Sequence, residues 1–89
     1  MIRFRVEQVF TVRSTGLKAI AVGRLLDGQL TPPVVLEDAI TAARVRIRGI
    51  DQLVGKDPEL IPLQIDETSP TVPRNGAVLR GPVEETGQD

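Results

Sequence analysis

The chain has 89 residues, of which 40% are hydrophobic and 26% charged, and eleven basic against twelve acidic residues give a formal net charge of -1. This length excludes a second domain core, and the composition is that of a globular chain rather than a disordered one. Because histidine, cysteine, tryptophan and tyrosine are absent, we expect no imidazole base, no thiolate nucleophile and no cofactor or metal held by nitrogen or sulfur ligands, and therefore a protein that is not an enzyme.

The first predicted element is a strand over residues 2–12. Its apolar residues share one parity, the period-2 spacing of a strand with one buried face: Ile2, Phe4, Val6, Phe10 and Val12. Polar Gln8 interrupts the series and predicts either two strands or a kink at Glu7-Gln8. The shared parity places Phe10 in the core. Ser14-Thr15-Gly16 then predicts a turn.

The return strand is predicted over residues 18–25. Leu25 falls out of phase with Ile20, and this phase change predicts a bulge at Gly23. Asp27-Gly28 has the residue types of a tight hairpin turn, because glycine supplies the positive φ that such a turn requires.

Residues 33–48 fit two patterns. Apolar residues recur at helical spacing behind a proline suited to a first turn: Leu36, Ala39, Ile40, Ala43 and Ile47. Against a helix, residues 44–48 alternate Arg-Val-Arg-Ile-Arg, as a half-buried strand does. The residues alone leave strand, loop and helix open for 33–43. Gly49 is a further candidate bulge, which would return Ile50 to the core.

Turn-forming residues divide the second half of the chain. Residues 51–60 predict a long turn, and residues 63–65 predict a short strand. Asn75-Gly76 predicts a tight turn before a last strand over residues 77–80. Residues 84–89 have no apolar side chain to bury and are expected to be disordered.

Six or seven short strands separated by glycine and proline turns predict an all-β domain over residues 1–83. A small antiparallel β-barrel, closed or partly open, is preferred over a sandwich. A chain of this length makes thin sandwich layers, and closure removes exposed strand edges.

Four blocks of the sequence, in the same order, resemble the second-domain β-barrel of elongation factor Tu and related translational GTPases. The blocks are Val9-Phe10-Thr11-Val12, residues 23–30, residues 45–50 and residues 74–82. In the second block the pair Gly23-Arg24 stands before the turn glycine Gly28, as in that family. The resemblance spans roughly residues 4–82 and implies a barrel in which residues 33–48 are strand rather than helix.

The resemblance implies a binding module rather than a GTPase. The Gly-x-x-x-x-Gly-Lys-Ser/Thr pattern of the family's nucleotide domain is absent, so no GTP binding is expected of this domain alone. In the family an acidic pair before the Val-Phe of the first strand helps to hold aminoacylated tRNA. Glu7 and Gln8 stand at those positions, so one carboxylate is kept. Glu7 and Phe10 are thus candidate partner-binding residues, with RNA or a ribosome-associated protein as the implied partner.

Arg44, Arg46 and Arg48 are the sharpest candidate surface feature. On a strand they project from one face at intervals of about 6.6–6.8 Å, and such a row can bind phosphates or acidic side chains. A solvated row paired with neighbouring acids is the simpler interpretation. The net charge of -1 argues against a bulk polyanion binder, so nucleic-acid affinity would depend on a local patch such as this row.

We therefore predict a non-catalytic binding module that docks RNA or a protein of the translation apparatus. The alternative is an assembly domain that forms a homo-oligomer or part of a larger protein, because small domains gain stability by association. No apolar stretch approaches the roughly 20 residues of a membrane-spanning helix, and the lack of cysteine fits a reducing compartment. We expect a cytoplasmic location without membrane contact.

Overall fold

Six antiparallel strands form the protein, and they close into a barrel. The computed structural model describes residues 1–52 and 57–84. The strands are β1 (Ile2–Ser14), β2 (Leu17–Asp27), β3 (Val34–Asp38), β4 (Arg44–Ile50), β5 (Ile61–Asp66) and β6 (Val78–Gly81). Their order is β1-β2-β5-β4-β3-β6, and β6 pairs again with β1. The predicted all-β antiparallel barrel is confirmed. The described ranges contain no helix that could span a membrane.

The last two strands lie close to their predicted positions. β5 contains the predicted residues 63–65, and β6 begins one residue after the predicted start at 77. Gly76 has a φ of +86° in the Asn75-Gly76 turn, as predicted for a tight turn. Residues 53–56 of the predicted long turn and residues 85–89 of the predicted disordered tail lie outside the described residues.

A bulge at Glu7 divides β1 into two parts. Val6 is paired with Gly23 on β2, and Gln8 is paired with Val22, the next residue back. Glu7 is therefore an extra residue on β1, as in a β-bulge. The kink predicted at Glu7-Gln8 is confirmed, and the alternative of two separate strands is wrong.

The bulge reverses which side chains of β1 face the core. Before it, the buried residues are Ile2, Phe4 and Val6. After it, Val9 packs against the core, whereas Phe10 is 47% exposed. The prediction of a buried Phe10 is wrong, because the extra residue at Glu7 turns Val9 inward and Phe10 outward.

Gly23 lies opposite the bulge of β1, where the two strands approach closely, and is not itself an extra residue of β2. A Cβ at this position would overlap the carbonyl oxygen of Arg5 and the ring of Phe4. The extra residue of β2 is Leu26, since Leu25 pairs with Phe4 and Asp27 with the preceding residue of β1. The predicted bulge at Gly23 is wrong, and the glycine is needed for space.

Asp27-Gly28 ends β2 without making a hairpin. The chain continues to β3, which pairs with β4 and β6 and not with β2. Gly28 has the expected positive φ of +80°, and its N–H donates to Oδ1 of Asp27 at 2.9 Å. The hairpin prediction is wrong because the turn chemistry is local, whereas the pairing of β3 is decided by the rest of the barrel.

Residues 33–48 contain two strands joined by a turn, and no helix. β3 and β4 pair in register, with Leu36 opposite Val45 and both side chains buried. The helical spacing is therefore incidental, and the alternation of residues 44–48 is the pattern that applies. Ile40, which fitted the helical pattern, lies in the turn and is 85% exposed.

The second half of β4 is bulged as predicted, but the bulge does not bury Ile50. Ile47 pairs with Ile65 and Gly49 with Gln64, which leaves Arg48 as the extra residue. Ile50 is 49% exposed, so its predicted return to the core is wrong.

All six strands contribute to one core. The largest fully buried apolar side chains are Phe4, Val6, Leu36, Val45, Ile47, Leu63, Ile65 and Leu79. β2 contributes mainly the small residues Ala19, Ala21 and Gly23, which leave room for the Phe4 ring. Each large side chain buried in this way stabilises the fold by roughly 1.5–3 kcal/mol before conformational entropy is subtracted.

Candidate binding surface

The predicted arginine row lies on the outer side of β4, but its three members differ. Arg44 and Arg48 are exposed, whereas Arg46 is partly buried. Nη1 of Arg46 donates to the Thr68 carbonyl oxygen at 2.9 Å, and its backbone N–H donates to Oγ of Ser69 at 3.1 Å. Arg46 therefore holds the loop after β5 against β4. Arg44 and Arg48 are exposed on either side of it, and the guanidinium of Arg48 packs over Gly16.

The loop after β5 is fixed by several further hydrogen bonds. Ser69 is almost fully buried, and its hydroxyl donates to the Thr71 carbonyl oxygen at 2.7 Å. The Thr71 hydroxyl donates to the carbonyl oxygen of Arg44 at 2.6 Å. Nζ of Lys18 donates to the carbonyl oxygen of Ser69 at 2.7 Å. The backbone that carries the arginine row is thus held on both sides, by β3 and by this loop.

Asp66 on β5 is close enough to Arg48 and Arg46 to be affected by their charge. The hydroxyl and then the backbone N–H of Thr68 donate to its carboxylate and hold the pKa of Asp66 below its usual value. The positive charges of Arg48 and Arg46 lower this pKa further. Asp66 therefore offsets part of the charge of these two arginines, whereas Arg44 is opposite Glu37 on β3.

Glu7 belongs to a different cluster, centred on Arg24. The guanidinium of Arg24 contacts three carboxylates: Glu7 at 2.8 Å, Asp57 at 2.5 Å and Glu59 at 3.1 Å. Hydrogen bonds to Asp57 and then to Glu7 raise the pKa of Arg24. Each carboxylate is paired with a different nitrogen of the guanidinium. Arg24 therefore forms an ion-pair network that includes Glu7, the extra residue of the β1 bulge.

Asp57, one of the acids around Arg24, is a poor candidate for a general acid. The backbone N–H of Glu59 and then the Arg24 guanidinium hold the pKa of Asp57 below its usual value. A carboxyl group with a lowered pKa is ionised at neutral pH and is a poor general acid. Over residues 1–52 and 57–84, no cluster of three or more acidic side chains is suited to hold a metal ion.

The structure does not bring the five predicted site residues together. Glu7 and Phe10 lie on β1, the three arginines lie on β4, and β2 and β5 stand between these strands on one side of the barrel. Phe10 faces outward, with Ile20 of β2 as its Cα partner. The row on β4 and the exposed Phe10 are therefore separate features of the surface.

An arginine pair was missed in the sequence. Arg3 on β1 and Arg80 on β6 are Cα partners on the outer face, although they are far apart in the chain. Nε of Arg80 donates to Oε2 of Glu37 on β3 at 2.9 Å. The alternation of β1 indicated an outward Arg3, but only the closure of the barrel by β6 places Arg80 beside it.

No protein family, no curated protein and no solved structure matches this chain. The link to the barrel of elongation factor Tu therefore stays a prediction from the order of the sequence blocks. The function has to be argued from the surface itself.

Proposed function

We propose that this barrel is a non-catalytic binding module that docks onto RNA through the arginine row of β4. The observation that carries the proposal is that Arg44 and Arg48 are exposed on a strand whose backbone is fixed, with Arg46 held between them. A guanidinium group can donate two parallel hydrogen bonds to a phosphate, so two exposed arginines on one strand can contact two phosphates of a nucleic-acid backbone. The resemblance to a translation-factor barrel supports RNA as the polyanion.

The binding should be weak and sensitive to salt. Two exposed arginines neutralise about two phosphates, which corresponds to a slope of about -1.4 in log affinity against log salt for a single strand. The one exposed aromatic residue, Phe10, lies on β1 and cannot stack bases that contact β4. Electrostatic contacts therefore dominate, and little sequence preference is expected.

The test is a fluorescence anisotropy titration of labelled single-stranded RNA with the full chain at two salt concentrations. The double variant Arg44→Gln/Arg48→Gln should lose most of the affinity and most of the salt dependence. Arg46 is left unchanged, because loss of its hydrogen bond to the loop after β5 would affect folding as well as RNA binding. The control Arg13→Gln/Arg74→Gln removes the same charge from exposed positions outside β4 and outside the other candidate contacts.

An equal loss of RNA affinity in the two double variants would show that net charge, and not the row on β4, determines binding. That result, or the absence of RNA binding, would overturn the proposal. Intact ribosomes are titrated in parallel. Binding to ribosomes without binding to protein-free RNA would move the assignment to a ribosomal protein.

A second candidate function is self-assembly, and the free side of the β1–β2 hairpin favours it. β2 pairs with β1 as far as Ser14, whereas β6 pairs with β1 only from Ile2 to Arg5. The Asn75-Gly76 turn bonds to β1 at Val6 and Val9, so the part of β1 beyond Val9 has no described strand on that side. Exposed Phe10 lies in this outer part of the hairpin. Sedimentation equilibrium tests this function. A dimer that is dissociated by Phe10→Glu and not by Ile50→Glu would support assembly, whereas a strict monomer would exclude it.

A further inference from the structure

A groove of about 440 Å³ lies between the start of β1, β6 and the turn from β3 to β4. Its walls include Met1, Arg3, Ala39, Ile40, Val78 and Arg80. Met1 and Ile40 are each 85% exposed, so two large apolar side chains stand in solvent at the same groove. Exposed apolar side chains that cluster beside charged ones are typical of docking sites.

The turn that carries Ile40 is pinned, so this exposure is built into the fold. The carboxylate of Asp38 accepts hydrogen bonds from the N–H groups of Ile40 at 2.8 Å and Thr41 at 3.1 Å. The N–H of Ala39 donates to the Val78 carbonyl oxygen at 2.8 Å, which ties the turn to β6. Ile40 is thus presented at a fixed position above β6.

The same groove contains positive charge that the described residues do not fully neutralise. Arg3 and Arg80 are Cα partners, and like charges in this arrangement repel. Glu37 accepts a hydrogen bond only from Nε of Arg80. Asp27 of β2 is the other Cα partner of Arg3, but it forms no ion pair with Arg3 among the described residues. An anion placed between the two guanidinium groups would relieve this repulsion and receive hydrogen bonds from both.

The chemistry of the walls indicates what kind of anion fits. The walls are aliphatic and contain no aromatic ring on which a nucleobase could stack. An aliphatic side chain next to a carboxylate matches both parts of the groove. The volume lies within the range of about 300–1,000 Å³ that is typical of ligand sites.

We propose that this groove binds a short acidic segment of a partner protein. A carboxylate of the segment bridges Arg3 and Arg80, and a neighbouring aliphatic side chain packs against Met1, Ile40 and Val78. The site goes beyond the proposed RNA docking, because it uses β1, β6 and the β3–β4 turn and none of the three arginines of β4.

The test uses a fluorescein-labelled peptide of sequence Ala-Leu-Asp-Leu-Glu-Ala and its amide counterpart Ala-Leu-Asn-Leu-Gln-Ala, titrated onto the full chain. The acidic peptide should bind, and the amide peptide should bind at least about tenfold more weakly. A tenfold change in affinity corresponds to about 1.4 kcal/mol, and a hydrogen bond to a charged group contributes more than this. Arg3→Gln and Ile40→Ser should each weaken the acidic peptide about tenfold. Both residues are exposed, so thermal unfolding should be unchanged.

The matched control is Arg48→Gln, which removes one exposed charge from β4 and should leave peptide binding unchanged. Amide resonances that shift on titration should be confined to the groove. Equal affinity for the two peptides, or shifts on β4 instead, would overturn the proposal. So would displacement of the peptide by single-stranded RNA, which would assign the groove to nucleic acid.

The two proposals can fail separately. If the chain binds no RNA but Arg3→Gln and Ile40→Ser still weaken the acidic peptide, the groove stands without the RNA site. If RNA binding depends on Arg44 and Arg48 and the peptide does not bind, the RNA site stands and the groove proposal is withdrawn.

Discussion

The absence of one side chain allows β1 and β2 to approach as closely as they do. Gly23 faces the interior between the carbonyl oxygen of Arg5 and the ring of Phe4, and there is no space for a methyl group. Its φ is not positive, so the requirement is for volume and not for backbone freedom. The neighbouring inward-facing residues of β2 are alanines, so this strand contributes only small side chains to the core at this point.

The first prediction follows from that lack of space. Gly23→Ala should lower the free energy of unfolding by about 1–3 kcal/mol, because the added carbon meets backbone atoms that can move only if the strands separate. Gly49→Ala is the control, since its added carbon would meet only the amide end of Gln64, at 2.8 Å, which can rotate away. Urea unfolding measures both, and equal losses would contradict the argument.

At the scale of a whole strand, the bulge at Glu7 decides which of the two phenylalanines stabilises the core. Phe4 precedes the bulge and is fully buried, whereas Phe10 follows it and is 47% exposed. Arg24 and its three carboxylates hold the bulged segment against β2. The directions of Val9 and Phe10 therefore depend on a single extra residue.

The second prediction compares these two phenylalanines. Phe4→Ala should cost about 3–5 kcal/mol of unfolding free energy, as large cavities in cores do. Phe10→Ala should change it by less than about 1 kcal/mol, because most surface substitutions have small effects. Chemical denaturation of both variants gives the comparison. Equal costs would place Phe10 in the core, as the unbroken parity of residues 2–12 predicts.

Local patterns predicted the strands of this protein better than their pairing. The alternation in residues 44–48 and the turn at Asn75-Gly76 are properties of neighbouring residues, and both predictions are confirmed. The bulge at Glu7 turns the side chain of Phe10 outward, and it is defined by the register of β1 with β2. The alternation of residues within one strand carries no information about that register. The prediction of a hairpin at Asp27-Gly28 was wrong for the same reason, because it depended on which strands pair with each other.

The candidate site was less predictable than the fold. The sequence indicated three equivalent arginines on β4, but Arg46 is engaged by the carbonyl oxygen of Thr68, which belongs to a loop over 20 residues away in the chain. The pairing of Arg3 with Arg80 requires the first and last strands to meet. Contacts that depend on closure of the barrel leave no periodic signal in the sequence.

For the molecule as a whole, acidic pH is the condition that should weaken the fold. Asp38, Asp57 and Asp66 each have a pKa held below the ordinary value, in every case by hydrogen bonds to the carboxylate. A lowered folded-state pKa stabilises the fold above the unfolded-state pKa of about 3.9, and the contribution is lost as the pH falls through the folded-state pKa. With no histidine, no side chain has an ordinary pKa between about pH 5 and 8.

The third prediction is therefore a free energy of unfolding that is nearly constant between about pH 5 and 8 and falls below about pH 4. Asp38→Asn should keep an acceptor for the N–H groups of Ile40 and Thr41 but remove the titrating carboxyl group. Urea unfolding at pH 7 and pH 3 should show that the gap between this variant and the original chain narrows in acid. A gap that is constant with pH would exclude Asp38 as a source of the acid sensitivity.

The pairing of β1 with β6 also fixes where the barrel joins any further polypeptide. Ile2 and Gly81 are Cα partners, so the start of β1 and the end of β6 are one strand spacing apart. Beyond Gly81 the chain stays on the barrel as far as Val83, whose N–H donates to the Val35 carbonyl oxygen. Such a unit can be inserted into a loop of another protein, or circularly permuted at an exposed turn, without separating its strands. Met1, where the chain enters the barrel, also lines the groove of Arg3 and Arg80, so a host chain joined there would be the first segment to meet it.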